Sequence, residues 1–229
     1  MIAAAIIGLF AAGTYFIRSV SLSGAIAGWA LATALFHFAG WRGMLLLALL
    51  FLLAGAATRM GYERKRALGI EQAAAGRRSA AHVIANVSVG LLCAILAELT
   101  QLVLPCTIAM VAAFATAACD TVSSEIGKAF GKRTLLVTTM RPVEPGTPGA
   151  VSPTGTLAGL AAAMLLALAA WLSGLTGAAE AAIVTGAAFA GALSESFLHA
   201  ILFADRRLGS LANLINTMIG ALLAFGLSR

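Results

Sequence analysis

The chain has 229 residues, of which 61% are apolar and only 10% charged, with 24 glycines and a formal net charge of +6. Soluble domains carry roughly a quarter charged residues, so this composition, with a mean hydropathy of +0.97, excludes a globule covered by water. The charges sit in short connections between apolar runs, which excludes the charged, wettable stripe of a nucleic-acid surface and suits contact with an anionic lipid leaflet.

Apolar stretches near 2–17, 22–39, 42–58, 82–99, 105–123, 155–173, 179–201 and 210–227 predict an all-α, polytopic transmembrane bundle forming one domain over 1–229. A crossing takes about 20 residues, so eight spans are expected. Seven is the alternative, because the first three runs are tightly linked and the first is short. The run Ile2 to Phe16 lacks a basic segment ahead of it and is followed by further spans, so it reads as a retained helix and not a signal peptide. Cys93, Cys106 and Cys119 lie far apart in apolar stretches and read as small buried residues.

Eight spans place Arg18, the basic loop 59–81, the Gly/Pro-rich loop 127–154 and the pair Arg206 and Arg207 on one side, leaving only Arg42 and Arg229 opposite. The positive-inside rule then turns the long loops to the cytoplasm and both termini away from it, in a plasma or inner membrane. Within the first loop, the mixed charges from Glu63 to Arg77 predict a short interfacial helix or a wetted connector. Gly155, Gly159, Gly186, Ala190 and Ser194 supply small faces for helix contact. No internal repeat supports an inverted-repeat transporter.

Polar residues inside or at the ends of spans are costly unless paired, hydrated or functional. The richest group is Asp120-Thr-Val-Ser-Ser-Glu-Ile-Gly-Lys128. Asp120, Ser124 and Lys128 share a face of a regular helix, whereas Glu125 lies about 140° around from Asp120. Either the helix breaks near the serines, or the two acids have separate tasks. Carboxylates here suit Mg²⁺, whose shell phosphate oxygens can complete; the alternative is an interfacial ion-pair network with Lys128.

The following segment, Arg141 to Thr156, is too rich in Gly and Pro for a continuous helix. Gly146, Gly149 and Gly155 let backbone N–H groups approach an anion. Thr147, Ser152 and Thr156 add hydroxyls, and Thr154 or Thr156 can open the sixth span, where free N–H groups favour phosphate. The Gly-Lys-Ser/Thr ending of a Walker A loop is absent. His82 and Asn86, and likewise Asn213 and Asn216, pair at helical spacing near span starts; they can bind phosphate, ribose or base, or bridge helices. Glu195 and His199 share a face beside Ser194 and Ser196, and can orient a metal or phosphate or bond to each other. Glu98 and His37 read as structural. Arg77, Arg78, Lys128, Lys132, Arg133 and Arg141 form a basic belt, with Arg141 the first choice for a phosphate.

The stretches Ala118-Cys-Asp-Thr-Val-Ser-Ser-Glu-Ile-Gly127, Val143-Glu-Pro-Gly-Thr-Pro-Gly-Ala-Val-Ser-Pro-Thr-Gly-Thr156 and Ala80-Ala-His-Val-Ile-Ala-Asn86 resemble the integral-membrane family DUF92. That family includes transmembrane protein 19-like proteins and a plant phytyl-phosphate kinase. The resemblance covers nearly the whole chain. It implies phosphorylation of an isoprenoid monophosphate to its diphosphate by a nucleoside triphosphate, CTP or ATP, with Mg²⁺. The family pattern maps onto Asp120, Ser124, Glu125, Gly146, Thr147, Gly149, Ser152, Gly155 and Thr156, with Asn86, Asn213 and Asn216 at similar polar positions. Joined to the residue reading, it makes Asp120, Glu125, Lys128 and Arg141 the expected catalytic group. Arg78, His82 and the loop residues would bind phosphate or nucleotide, and Asp120, Glu125 and Glu195 the metal. The chain departs from the pattern at Pro148 and at Glu195-Ser196, where the family has aspartate. The competing functions are a CDP-lipid-forming nucleotidyltransferase and a lipid or phosphate transporter.

Overall fold

The computed structural model describes residues 2–71, 77–202 and 209–229; Arg206 and Arg207 lie outside them. In chain order the elements are α1 (Ile2–Phe16), α2 (Leu22–Arg59), α3 (Tyr62–Ala67), α4 (Ala80–Leu99), α5 (Val103–Phe130), β1 (Leu135–Leu136), β2 (Ala150–Val151), α6 (Pro153–Leu172), α7 (Ala178–Ile201) and α8 (Gly209–Leu227). Among the described residues, α2, α4, α5, α6, α7 and α8 are long and apolar enough to cross a membrane. The fold is an all-α polytopic membrane bundle, and its lipid-facing sides carry large apolar side chains such as Leu52, Leu99, Leu157 and Leu172.

The second and third expected spans are one assigned helix, α2, without an intervening loop. A straight helix of 38 residues would run about 57 Å. Here its last residue returns to the link just before its start instead: Arg59 Nη2 donates to Ser19 Oγ at 2.9 Å. The fold-back is at Gly40, whose φ of 60° and ψ of −157° interrupt the helix in a region open essentially to glycine alone. A single glycine turns the chain, so periodicity sees only two apolar runs. The connector read from Glu63 onward contains the short helix α3.

The core is built around α5, which packs against α2, α4, α6, α7 and α8. Ile108, Val111, Ala112, Ala113, Phe114, Ala115 and Ala118 are all fully buried. Small residues make these approaches close, as required where lipid gives no hydrophobic drive for helix contact. Gly90 of α4 faces the Phe114 ring, Gly155 and Gly159 of α6 lie against Ser123, and Gly191 of α7 and Gly220 of α8 lie against Thr116. The helix continues unbroken through Asp120, the serines and Glu125 to Phe130, longer than the apolar run alone predicted.

After α5 the chain forms a ribbon in which Leu135 and Leu136 pair antiparallel with Val151 and Ala150. The ribbon closes the Gly/Pro-rich loop into a flap whose far limb leads directly into α6. Ser152 caps α6 by accepting from Gly155 N at 3.1 Å, and Pro153 takes the first turn, where a missing N–H costs nothing.

Candidate functional site

A cavity of about 780 Å³ lies where the basic loops meet the bundle. α5 contributes Cys119, Asp120, Ser123, Ser124, Gly127 and Lys128. The flap contributes Thr134 and the run from Pro145 to Ser152, and α6 adds Thr156. α7 adds Phe189, Ala192, Leu193, Glu195, Ser196 and His199, while His82 and the segment before it, with Arg77 and Arg78, close another side. Of the residues expected from sequence, the structure thus brings together Asp120, Ser124, Lys128, Arg78, His82, Gly146, Thr147, Gly149, Ser152, Thr156 and Glu195.

Asp120 and Glu195, from helices distant in sequence, come within hydrogen-bonding range of each other. Glu195 is held from behind. It accepts from Asn216 Nδ2, and its Oε1 lies 3.3 Å from His199 Nε2. The Asn213 amide sits between two partners. As placed, its Nδ2 donates to Asn86 Oδ1 at 3.3 Å; rotated, it donates to Glu195 Oε1 at 3.1 Å and to Gly209 O at 2.9 Å, which better satisfies the carboxylate. Asn86 donates to His82 O at 3.1 Å. Asn213 and Asn216 therefore hold Glu195 from behind the cavity, Asn86 is buried beside them, and none of the three lines it.

Glu125 has a different environment. The unbroken helix turns it away from Asp120, and its Oε2 accepts from Lys65 Nζ at 2.6 Å, with the Lys65 side chain fully buried. Lys128 Nζ lies 3.4 Å from Glu125 Oε1. Lys65 also donates to Ala57 O at 3.2 Å and Thr58 O at 2.8 Å, so all three ammonium donors are used. The expected set of Asp120, Glu125 and Glu195 on one metal is thus not assembled, and among the described residues no three His, Cys, Asp or Glu side chains form a metal cluster. The pair Asp120 and Glu195 does suit Mg²⁺. Two adjacent carboxyl groups, with no lysine or arginine of the ion pairs described reaching Asp120, match a cation that keeps waters and takes phosphate oxygens as its remaining ligands.

Two further expected contributions lie outside this arrangement. Arg141 is exposed and outside the cavity lining. Its carbonyl accepts from Leu136 N at 2.9 Å, which fixes it on the outer limb of the flap. The start of α6 has few donors left for an anion: Pro153 has no N–H, Gly155 N is taken by the Ser152 hydroxyl, and Thr156 N donates to Ser152 O at 2.8 Å. Gly155 instead serves close packing on α5. Gly146 and Gly149, with φ of 85° and 76°, do need glycine. A side chain on Gly149 would run into Ala200 of α7, and one on Gly146 into Ile70.

Arg78 is the best-defined cation of the cavity. It is 6% exposed, and its Nη2 has no hydrogen-bond partner among the described residues. Burial pushes its guanidinium below the usual arginine range, and the Glu125 carboxylate opposes that shift. Its backbone is fixed by a bridge to Val20, with Ser21 N donating to Arg78 O at 3.0 Å and Arg78 N to Ser19 O at 3.1 Å. A buried guanidinium with an unused donor is costly, and a phosphate oxygen satisfies it. Sequence reasoning missed Lys65, which sits in a mixed-charge run with nothing to mark it as buried.

The family model described as "Integral membrane protein DUF92" matches residues 5–209, and the chain belongs to that family. It is similar to the uncharacterized membrane protein sll0875 of Synechocystis, 38% identical over 205 residues, spanning 87% of this chain and 79% of that one. Protein VTE6, chloroplastic, of Arabidopsis thaliana is 36% identical over 220 residues, 91% of this chain and 65% of VTE6. The uncharacterized membrane protein MJ0933 of Methanocaldococcus jannaschii is 32% identical over 211 residues, 90% of this chain and 84% of that one. No solved structure matches the chain.

Proposed function

We propose that this member of the DUF92 family is a phosphotransferase that converts an isoprenoid monophosphate to its diphosphate, with CTP or ATP as donor. The observation that carries this reading is the mixed character of one cavity. Arg78, Lys128, Asp120 and Glu195 line it together with the hydroxyl-rich flap, and Phe189, Ala192 and Leu193 give it an apolar wall on the same α7 face. Charged heads and a hydrocarbon tail find suitable surroundings in one place. The motif resemblance to a family that includes a phytyl-phosphate kinase supports the same substrate class.

In the transfer, an oxygen of the acceptor monophosphate attacks the terminal phosphorus of the donor. A new P–O bond forms as the bond to the donor's bridging oxygen breaks, releasing a nucleoside diphosphate. The acceptor phosphate is ionised near neutrality, so no general base is required. Arg78 and Lys128 hold non-bridging oxygens and reduce the repulsion between two polyanions, a contribution that is largest in a water-poor site. Asp120 and Glu195 would hold Mg²⁺, which neutralises phosphate oxygens when bound. Asn216 and His199 fix Glu195, and Gly146 and Gly149 let the flap close against Ile70 and α7.

The membrane arrangement proposed with this function has eight crossings: α1, the two arms of α2, and α4 to α8. The basic loops and the cavity face the cytoplasm, where nucleotides are, and both termini face away. Purified protein supplied with γ-labelled CTP or ATP and a series of prenyl monophosphates should yield labelled prenyl diphosphate. Pyrophosphate with a CDP-lipid would instead identify nucleotidyl transfer. Movement of intact substrate across proteoliposomes without transfer would identify a transporter.

A further inference from the structure

Among the described residues Lys65 is as deeply buried as any large side chain, yet it does not itself line the cavity. Its ammonium joins three elements: its own helix α3, the last carbonyls of α2 at Ala57 and Thr58, and Glu125 on α5. Glu125 in turn lies between this hidden lysine and Lys128, a cation that does reach the cavity. Lys128 approaches its other oxygen at a looser 3.4 Å while 29% exposed and lining the cavity, and Arg78 feels its charge without a direct hydrogen bond. The short 2.6 Å contact therefore belongs to Lys65 and the longer one to Lys128. A buried carboxylate stripped of Lys65 would be uncompensated and would draw in the nearest cations available.

We propose that Lys65 is a positioning residue: by saturating Glu125 from behind, it leaves Lys128 and Arg78 free to hold the phosphates of a ligand in the cavity. The inference rests on the reading of that cavity as a phosphate site. It makes Glu125 a counter-ion and not a ligand-binding or metal-binding group. It also accounts for the position of α3, whose end leads straight into Gly69 and Ile70 of the lining through the bond from Ile70 N to Lys65 O at 3.0 Å.

The test uses the full chain in lipid nanodiscs, with inorganic tripolyphosphate as probe and binding measured by calorimetry. K65M should bind at least tenfold more weakly than the wild type. K65M/E125Q, which removes both charges of the pair, should return to within threefold of wild type, and E125Q alone should bind as tightly as wild type. In the transfer assay, K65M should raise the KM for nucleotide about tenfold with kcat changed less than threefold. Unchanged binding by K65M, or equal weakness of K65M and K65M/E125Q, would overturn the proposal. If K65M does not fold, E125Q and the double variant decide it: a tenfold loss in either one, properly folded, places Glu125 in the ligand site and sinks the idea. A wild-type protein that binds no tripolyphosphate refutes the phosphate reading of the cavity first, and the role of Lys65 with it.

Discussion

At the scale of single residues, the cavity's chemistry depends on which charges are already satisfied. Glu125 is consumed by Lys65, whereas Arg78 keeps a donor unused and Asp120 meets Glu195. Charge-assisted hydrogen bonds contribute roughly 1.5–3 kcal/mol, so R78M should raise the KM for a phosphate-bearing substrate about 10- to 100-fold in steady-state kinetics. D120N should lower kcat at least about 100-fold, some 2.7 kcal/mol of barrier, while the protein still inserts in the membrane and purifies as wild type. Loss of one partner from a buried ion pair costs about 3–5 kcal/mol. K65M should therefore melt well below wild type in detergent, and K65M/E125Q should recover most of that loss. These residues were unequally legible in the sequence. Asp120 and Glu125 stand out in the sequence as intramembrane acids about 140° apart on a helix, and the continuous α5 leaves them facing different surroundings. The meeting of Asp120 with Glu195, across 75 positions of chain, depends on how α5 and α7 pack, and no local pattern encodes that. Lys65 was invisible because burial of a lysine follows from three carbonyl and carboxylate oxygens contributed by other elements.

At the scale of elements, glycine decides geometry that hydrophobic periodicity cannot. The apolar runs located α4, α6, α7 and α8 to within about two residues of their ends, since each is uninterrupted and bounded by polar or Gly/Pro residues. They did not reveal that α2 folds on a single residue, or that α5 extends a further seven positions beyond 123. A polar helical end looks like a loop to hydropathy. G40V should destabilise the α2 hairpin by about 1–3 kcal/mol, the strain of placing a branched residue in a conformation reserved for glycine. The check is a lowered melting temperature together with a broken Arg59–Ser19 contact, readable by crosslinking. G149A should act differently: the added carbon meets α7 at Ala200, so the flap is displaced and transfer falls while the melting temperature changes little.

At the scale of the molecule, the proposed transfer requires the membrane-embedded bundle to bring a water-soluble donor and a lipid acceptor to one cavity. The three native cysteines are buried or half-buried, so an introduced thiol can be read against a low background. K132C should react with an impermeant maleimide only from the cytoplasmic face and S173C only from the opposite one; the reverse pattern would invert the proposed orientation. The most direct test of the central claim is a structure of the protein with a prenyl monophosphate and a non-hydrolysable nucleotide. The account predicts both phosphate groups between Arg78, Lys128 and the Asp120–Glu195 pair, with the prenyl chain against Phe189 and Leu193. Phosphates bound elsewhere, with that cavity filled by lipid alone, would contradict it.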